Sequence, residues 1–188
     1  MLQKPELTEE FILKRVQFTE EVKDEEIKEK CKEARRLSTL DNKNVLRYHE
    51  AFFNSRKNEL CIVTENCANG DLAKIIQTSK REDKAIPSEN ILDYFAQICA
   101  GLKYMHDGKQ ILHRDLKPGN IFLAKNDIVK IGDLGSAKEL SSAFTNLNEP
   151  NQGTKAYMAP ERFQEPPKYG YPSDIFALGT IAYELFTL

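Results

Sequence analysis

Apolar and polar residues alternate along the chain with spacings that predict both strands and helices. Residues 11–16 form a short apolar run with one lysine, which indicates a strand with Lys14 pointing out of an otherwise buried surface. Two further strand-like runs, 45–53 and 60–65, flank the polar stretch 54–58. This arrangement predicts a β-hairpin.

Helical spacing occurs in three other stretches. From Thr19, a candidate N-cap, to Leu40, apolar residues recur every three or four positions among many charges. A second helix is predicted to begin at Pro87-Ser88. Its apolar residues share this spacing: Ile91, Tyr94, Phe95, Ile98, Leu102 and Met105. The run 175–188 is apolar on nearly every side, a pattern typical of a buried helix. Together with the strands, these helices predict a protein that contains both kinds of element.

The composition excludes several classes of partner. The chain has 188 residues, and 27 Lys and Arg against 29 Asp and Glu give a net charge of -2, so no nucleic-acid partner is predicted. No apolar stretch approaches membrane-spanning length, so no membrane partner is predicted either. The four cysteines lack metal-ligand or disulfide spacing. They favour a reducing compartment, the cytoplasm, with the nucleus or cytoskeleton as alternatives.

The stretch 111–123, ILHRDLKPGNIFL, places a carboxylate, an ammonium group and an amide close together. Asp115 precedes Lys117 by two residues and Asn120 by five, and Asp133 follows thirteen residues after Asn120. Phosphoryl transfer needs groups that orient a hydroxyl, neutralise phosphate oxygens and hold a metal. We therefore interpret this stretch as a catalytic loop.

Three motifs carry a family resemblance. HRDLKPGN at 113–120, Asp133-Leu134-Gly135 and Ala159-Pro160-Glu161 together resemble the signature set of the protein kinases. Lys117 is typical of the serine/threonine branch. NGDL at 69–72 and the residues around the three motifs resemble the NIMA-related kinases, and this resemblance extends from about residue 11 to residue 188.

The resemblance implies a bilobal α+β kinase fold. About 1–66 would form the β-rich small lobe, and about 67–188 the first helices of the large lobe, ending at the helix of 175–188. No glycine-rich loop precedes Lys14, and the helices that follow in kinases are absent. We therefore expect a partial kinase domain, cut at both ends, with apolar surface exposed on its last helix.

The resemblance also implies a reaction, in which ATP with Mg²⁺ phosphorylates serine or threonine hydroxyls of protein substrates. Asp115 would orient the hydroxyl and accept its proton, and Lys117 would face the γ-phosphoryl group. Asn120 and Asp133 would bind Mg²⁺ through oxygen atoms. Thr154 would hydrogen-bond in the catalytic loop and shape the substrate pocket.

Nucleotide contacts follow from the same resemblance. Lys14 would grip the α- and β-phosphates, with Glu33 as its ion-pair partner. The remaining candidates would surround the adenine: Ile12, which narrows its slot, Thr64 as gatekeeper, the backbone of Glu65 and Cys67, and Phe122 beneath the ring.

Regulation is predicted for the segment 133–161. Arg114 precedes the catalytic aspartate, which in kinases signals control by a phosphate on this segment. Pro150 occupies the usual threonine position. Either Glu149 substitutes for the phosphate, or one of three nearby hydroxyl residues carries it: Ser141, Ser142 or Thr145.

Three residues outside the reacting set also receive a prediction. Asp174 would anchor the backbone of the catalytic loop from the start of the last helix, with Ser173 as the N-cap of that helix. His106, at the end of the helix that begins at Ser88, is interpreted as a packing or capping histidine.

Two other function classes compete with an active protein kinase. A pseudokinase or regulatory fragment that binds a partner is favoured by the lack of a glycine-rich loop. The complete set of ionisable residues argues against it, because a scaffold has no need of them. A kinase of small metabolites is disfavoured by 153–161, GTKAYMAPE, which resembles a platform for protein substrates. Substrate, activator and oligomeric state stay open.

Overall fold

The structure is a computed structural model that describes residues 10–18, 25, 27–28, 31, 37–134, 138–139, 154–165 and 168–188. The chain divides into two compact units. The first comprises Met1–Asp41 and Arg47–Asn66, and the second Asn42–Leu46 and Cys67–Leu188. The described residues contain both strands and helices, as the α+β prediction requires. The assignment of these units to kinase lobes stays a prediction.

The described residues of the first unit form a three-stranded antiparallel sheet. Its strands are β1 (Phe11–Gln17), β2 (Tyr48–Asn54) and β3 (Glu59–Glu65), in the order β1-β3-β2. The predicted hairpin of β2 and β3 is confirmed. Strand β2 begins three residues later than predicted, since Val45 pairs with Ile131 of the second unit instead.

The predicted burial of β1 is wrong. All seven residues of β1 are exposed, and its larger apolar side chains are 37–49 % exposed: Phe11, Ile12, Leu13 and Val16. Among the described residues, β1 pairs with β3 alone and lies at the edge of the sheet. Lys14 therefore lies on an exposed strand rather than on a buried surface.

Most of the predicted helix 19–40 lies outside the described residues. Those described within it are helical up to Leu37, and Ser38 and Thr39 form a turn. The helix therefore ends about three residues before its predicted limit, Leu40. Both Thr19, the candidate N-cap, and Glu33, the candidate partner of Lys14, lie outside the described residues.

The described residues of the second unit include three α-helices: α1 (Leu72–Glu82), α2 (Ser88–Lys103) and α3 (Tyr171–Phe186). Helix α1 was not predicted from the sequence. It begins at Asp71, whose Oδ1 accepts a hydrogen bond of 2.8 Å from the backbone N–H of Lys74, and this is the usual role of an N-cap aspartate.

Short strands frame the predicted catalytic loop. They are β4 (Ile111–Leu112), β5 (Ile121–Leu123), β6 (Val129–Ile131) and β7 (Lys138–Glu139). Strands β5 and β6 form an antiparallel hairpin, and β4 pairs with β7. The loop therefore begins at β4 and ends at β5.

Helix α2 forms the centre of the core in the second unit. Ile91, Ile98 and Leu102 are at most 2 % exposed, as their spacing predicts. Phe95 differs from the prediction, since it is 36 % exposed and lies at the margin of the apolar stripe. After Lys103 the helix widens into a π-helical turn, Tyr104–Gly108.

The last helix departs from its predicted start and burial. It begins at Tyr171 with Gly170 as N-cap, so Ser173 lies inside the first turn and the prediction that Ser173 caps the helix is wrong. One face is buried, including Leu178 and Ile181. The opposite face exposes large apolar side chains, as expected: Ile175, Phe176, Tyr183 and Phe186. No helix in the described part of the chain is long and apolar enough to cross a membrane.

Asn44 ties the short stretch Asn42–Leu46 to α2 and to the β5–β6 hairpin. Its side chain is fully buried, and Nδ2 donates hydrogen bonds of 2.9 Å to Gln97 Oε1 and to the carbonyl of Val129. The backbone carbonyl of Asn44 accepts a bond of 2.9 Å from Ile131. One asparagine therefore connects its own stretch, helix α2 and the β5–β6 hairpin.

Asn44→Ala is expected to lower the free energy of unfolding by about 1–3 kcal/mol, because it leaves the buried Val129 carbonyl without its side-chain donor. Urea unfolding followed by circular dichroism measures the change. Asn90→Ala is the control, since Asn90 lies in the first turn of α2 and is exposed. Equal unfolding free energies for the two variants would contradict this role of Asn44.

Candidate active site

The catalytic loop is held by buried leucines on either side of its polar residues. Leu112 is 0 % exposed and Leu116 is 2 % exposed. Between them the backbone of Arg114 adopts a left-handed conformation with φ of 71°, which reverses the chain direction. A left-handed residue other than glycine is strained, and it persists where surrounding contacts compensate for the strain. These contacts present Asp115 at the edge of the loop.

The carboxylate of Asp115 collects three hydrogen-bond donors. Lys117 Nζ lies 2.8 Å from Oδ2, and Asn120 Nδ2 lies 3.2 Å from the same oxygen. The backbone N–H of Thr154 donates to Oδ1 over 3.0 Å. The Asp115 side chain keeps 14 % of its surface exposed, so the carboxylate is oriented by its neighbours yet reachable from solvent.

Thr154 contacts the catalytic loop through its backbone, a contact that its residue type does not reveal. The sequence predicts a hydrogen bond from Thr154, and the structure places one there, but its donor is the backbone N–H. After it, the turn Lys155–Tyr157 closes with a hydrogen bond of 2.9 Å from Tyr157 N–H to the Thr154 carbonyl. The position of this backbone, rather than the threonine hydroxyl, makes the described contact with Asp115.

His113 links the catalytic loop to the β5–β6 hairpin. Its ring is fully buried, and Nδ1 accepts the backbone N–H of Asp115 over 3.3 Å. Because Nδ1 is an acceptor, the ring proton belongs on Nε2, which lies 3.0 Å from the carbonyl of Gly132. Gly132, the residue immediately before Asp133, is therefore held to the catalytic loop by the His113 ring.

Asn120 precedes β5 and Asp133 follows β6, so both lie at the same end of this hairpin. The register pairs Ile121 with Ile131, and the N–H of Gly132 donates to the carbonyl of Asn120 over 2.9 Å. Among the described residues, both side-chain hydrogen bonds of Asn120 come from Nδ2, to the carbonyl and Oδ2 of Asp115, and Oδ1 keeps lone pairs for another partner. Asp133 has a left-handed backbone with φ of 54°.

These two residues suit a magnesium ion that keeps most of its own water. An amide oxygen and a carboxylate are the hard ligands that Mg²⁺ prefers. Within the described residues no group of three or more His, Cys, Asp or Glu side chains could hold a metal. The donor set of Asn120 and Asp133 therefore fits an ion completed by water and phosphate oxygens.

The buried carboxylate of Asp174 connects the first turn of α3 to the backbone of the catalytic loop. It is 1 % exposed, and its oxygens accept the backbone N–H groups of His113, over 2.9 Å, and Arg114, over 3.0 Å. The predicted contact between Asp174 and the loop backbone is therefore present. The hydrogen bond from the Arg114 N–H to this carboxylate compensates for the strain of the left-handed Arg114 backbone.

His106 takes part in this arrangement, and its importance was missed. Its Nε2 lies 2.9 Å from Asp174 Oδ2, and its ring packs on Tyr171 with centroids 4.5 Å apart. The π-helical turn after α2 carries His106, and an extra residue in a helical turn shifts the side chains that follow it. No signal in the sequence announces that shift.

A second polar cluster holds the segment that follows Thr154. Tyr157 donates its hydroxyl to Glu184 Oε2 over 2.8 Å, and Lys80 lies 3.3 Å from Glu184 Oε1. Burial, reinforced by Glu184, raises the pKa of Tyr157 to about 12, so its hydroxyl keeps its proton at neutral pH. Glu161 accepts a bond of 2.7 Å from the hydroxyl of Ser173. The sequence predicted none of these three contacts.

The nucleotide candidates of the first unit lie on β1 and β3. Ile12 pairs with Thr64 in the sheet register, which makes the predicted slot residue and gatekeeper direct neighbours. Lys14, two residues further along β1, pairs with Ile62. Thr64 is 7 % exposed, and its hydroxyl donates to the carbonyl of Glu65 over 3.2 Å.

Two further nucleotide candidates belong to the second unit. The carbonyl of Cys67 accepts a bond of 3.2 Å from Gly70 N–H, which forms the irregular joint predicted after β3. The half-buried ring of Phe122 packs so closely on Gly132 that a Cβ there would lie 2.7 Å from a ring carbon. The predicted phosphosite region, including Glu149 and Pro150, lies outside the described residues.

Comparison with known proteins decides the family. A model of the protein kinase domain matches residues 3–188, nearly the whole chain. The chain belongs to the protein kinase family. Kinases of this family generally use ATP and Mg²⁺ and act on protein substrates.

Similar curated proteins are serine/threonine kinases with Nek names. Serine/threonine-protein kinase Nek1 of Mus musculus is 39% identical over 178 residues, 95% of this chain and 14% of that protein. Nek11 of Homo sapiens is 39% identical over 153 residues, 81% of this chain and 23% of the relative. The probable kinase nek2 of Dictyostelium discoideum is 36% identical over 154 residues, 81% of this chain and 36% of the relative.

These matches confirm the predicted kinase family and its resemblance to the NIMA-related branch. The chain spans 14% to 36% of the length of the three relatives named above. The similarity therefore concerns their kinase domains, and it carries no information on the rest of those proteins.

Proposed function

We propose that this protein transfers the γ-phosphoryl group of ATP to serine or threonine hydroxyls of protein substrates. The observation that carries the proposal is the Asp115 carboxylate, oriented by Lys117, Asn120 and the backbone of Thr154. A carboxylate held by three donors and still accessible to solvent suits the orientation of an incoming hydroxyl. The serine/threonine kinase relatives support the same assignment.

The chemistry we propose follows from these atoms. Asp115 accepts the hydrogen bond of the substrate hydroxyl and takes its proton as the oxygen bonds to the γ-phosphorus. The bond between that phosphorus and the bridging oxygen breaks, and ADP leaves with the electron pair. Lys117 Nζ, 2.8 Å from Asp115, lies where a compact positive charge stabilises the transferring phosphoryl group.

We also propose that Asn120 and Asp133 hold Mg²⁺ when nucleotide is bound. The ion would supply positive charge to the phosphate oxygens. Asn120 has a second task, since Nδ2 holds the carbonyl of Asp115 at 2.7 Å while Oδ1 remains for the ion. Lys14, Ile12, Thr64, Glu65, Cys67 and Phe122 are proposed nucleotide contacts, and Glu33 the proposed partner of Lys14.

The compartment is a further proposal. None of the four cysteines, all of which lie in the described residues, forms a disulfide. This supports a reducing environment, and we propose the cytoplasm, with the nucleus or cytoskeleton as alternatives.

Incubation of the protein with γ-labelled ATP, Mg²⁺ and a peptide library tests the proposed function. We expect label on serine- and threonine-containing peptides, and none on matched peptides with alanine at those positions. Omission of Mg²⁺ is expected to abolish transfer. A folded protein that binds Mg·ATP but transfers no label would contradict the proposal and favour the pseudokinase alternative.

A further inference from the structure

Two buried arginines meet at the ring of Tyr169. Arg162 Cζ lies 4.0 Å from the ring centroid, and Arg114 Cζ lies 5.4 Å from it. Arg162 is 5 % exposed and Arg114 is 7 % exposed. Both distances fall within the range in which an aromatic ring attracts a cation. One ring therefore serves two guanidinium groups.

Burial makes this attraction important. Burial and the neighbouring Arg114 charge both lower the pKa of Arg162, because two cations are held close together away from water. Burial, with a contribution from Asp174, raises the pKa of Tyr169, so the phenol stays neutral. A neutral ring attracts a desolvated guanidinium, and this attraction partly offsets the repulsion between the arginines.

The two arginines belong to segments with different tasks. Arg114 precedes Asp115 in the catalytic loop, and its backbone N–H is held by Asp174. Arg162 lies in the turn Pro160–Phe163 that ends the Ala-Pro-Glu motif, closed by a hydrogen bond of 3.0 Å to the carbonyl of Ala159. Tyr169 also lines a small cavity together with Arg114, Asp115 and Thr154. The ring thus contacts both segments and lines the same cavity as Asp115.

We propose that Tyr169 is a positioning residue: its aromatic face holds the Arg114 side chain and so keeps Asp115 aligned for phosphoryl transfer. The kinetic part of this inference rests on the proposed function, whereas the geometric part stands independently. The alternative is that Tyr169 only fills space. Tyr169→Phe and Tyr169→Leu separate these roles, because phenylalanine keeps the ring and leucine keeps only an apolar side chain.

Nuclear magnetic resonance tests the geometric part without requiring activity. In protein labelled with ¹⁵N-arginine, Arg114→Lys identifies the Arg114 Nε–H resonance. We expect this resonance at a ring-shifted position in the wild-type and Tyr169→Phe proteins, and displaced from it in Tyr169→Leu. If the leucine variant does not fold, Tyr169→Met replaces it. An Arg114 resonance that does not move when the ring is removed would overturn the proposal.

Kinetics test the functional part on the same proteins. Tyr169→Leu is expected to lower kcat roughly tenfold with an unchanged KM for ATP, since misalignment affects the chemical step. Tyr169→Phe is expected to retain kcat within about twofold. The matched control is Tyr183→Leu, because Tyr183 is 72 % exposed on α3. Equal kcat values for Tyr169→Phe and Tyr169→Leu would overturn the positioning role.

These two readouts keep the proposals distinguishable. An inactive wild-type protein would contradict the proposed kinase function, and the arginine resonances would still decide whether Tyr169 holds Arg114. If the protein is active but the Arg114 resonance keeps the same chemical shift in Tyr169→Leu, the proposed function stands. The proposed positioning role of Tyr169 is then excluded.

Discussion

Asp115→Asn is expected to lower kcat for peptide phosphorylation by roughly 10²-fold or more, the range for loss of a general base. The amide cannot accept the hydroxyl proton. It also turns an N–H₂ group toward at least one of the donors that now face a carboxylate, Lys117 Nζ or the Thr154 N–H. Steady-state turnover with saturating Mg·ATP measures the effect.

The control for this variant is the same chemical change outside the site. Asp127→Asn alters an exposed residue of the β5–β6 turn whose φ is 55°, a conformation that asparagine also tolerates. We expect the control to retain wild-type turnover, and both variants to keep the wild-type melting temperature within a few degrees. Wild-type turnover in Asp115→Asn would remove Asp115 from its proposed role.

Elements whose signal is local were predictable from the sequence. The spacing of Ile91, Ile98 and Leu102 determines the inward face of α2, because residues three or four apart share one side of a helix. The hairpin of β2 and β3 follows from two apolar runs around a polar turn. The cluster of Asp115, Lys117 and Asn120 was also predictable, since the three lie within six residues of one another.

Features that depend on partners distant in sequence were not predictable. Helix α1 is an exception, because its signals are local and were missed: Asp71 is a typical N-cap residue, and the buried residues Leu72, Ile76 and Ser79 share one face. Exposure of β1 depends on which strands lie beside it, and pattern alone does not supply that information. The Thr154 contact is made by a backbone N–H, which every residue except proline possesses.

The contact between His106 and Asp174 in the candidate site also depends on residues that are distant in sequence, and it was not predictable either. The two residues are 68 positions apart, and a π-helical turn rotates the histidine toward the carboxylate. The family resemblance predicted the anchoring role of Asp174, whereas the sequence predicted only a packing or capping role for His106. The structure joins them in one network beneath Arg114 and Asp115.

Asp174→Asn is accordingly expected to reduce both stability and turnover. Oδ2 of the carboxylate accepts the N–H groups of His106 and His113, and Oδ1 accepts that of Arg114. An asparagine with its oxygen in the place of Oδ2 keeps the first two donors and directs its N–H₂ group at the Arg114 N–H. One buried donor left without an acceptor costs about 1–3 kcal/mol, so we expect the free energy of unfolding to fall by about that amount. Urea unfolding measures this loss, and kcat at a temperature where the variant remains folded measures the effect on turnover.

His106→Gln separates the two partners of Asp174. Glutamine can still donate an N–H toward Asp174 Oδ2, so this variant preserves one donor and leaves the bonds to His113 and Arg114 untouched. If Asp174 acts mainly by compensating for the strained turn at Arg114, His106→Gln loses less stability and less turnover than Asp174→Asn. Equal losses of stability and turnover in the two variants would show that the contact with His106 is the main role of Asp174. An Asp174→Asn protein whose unfolding free energy lies within about 0.5 kcal/mol of wild type would exclude a stabilising role of Asp174 toward either partner.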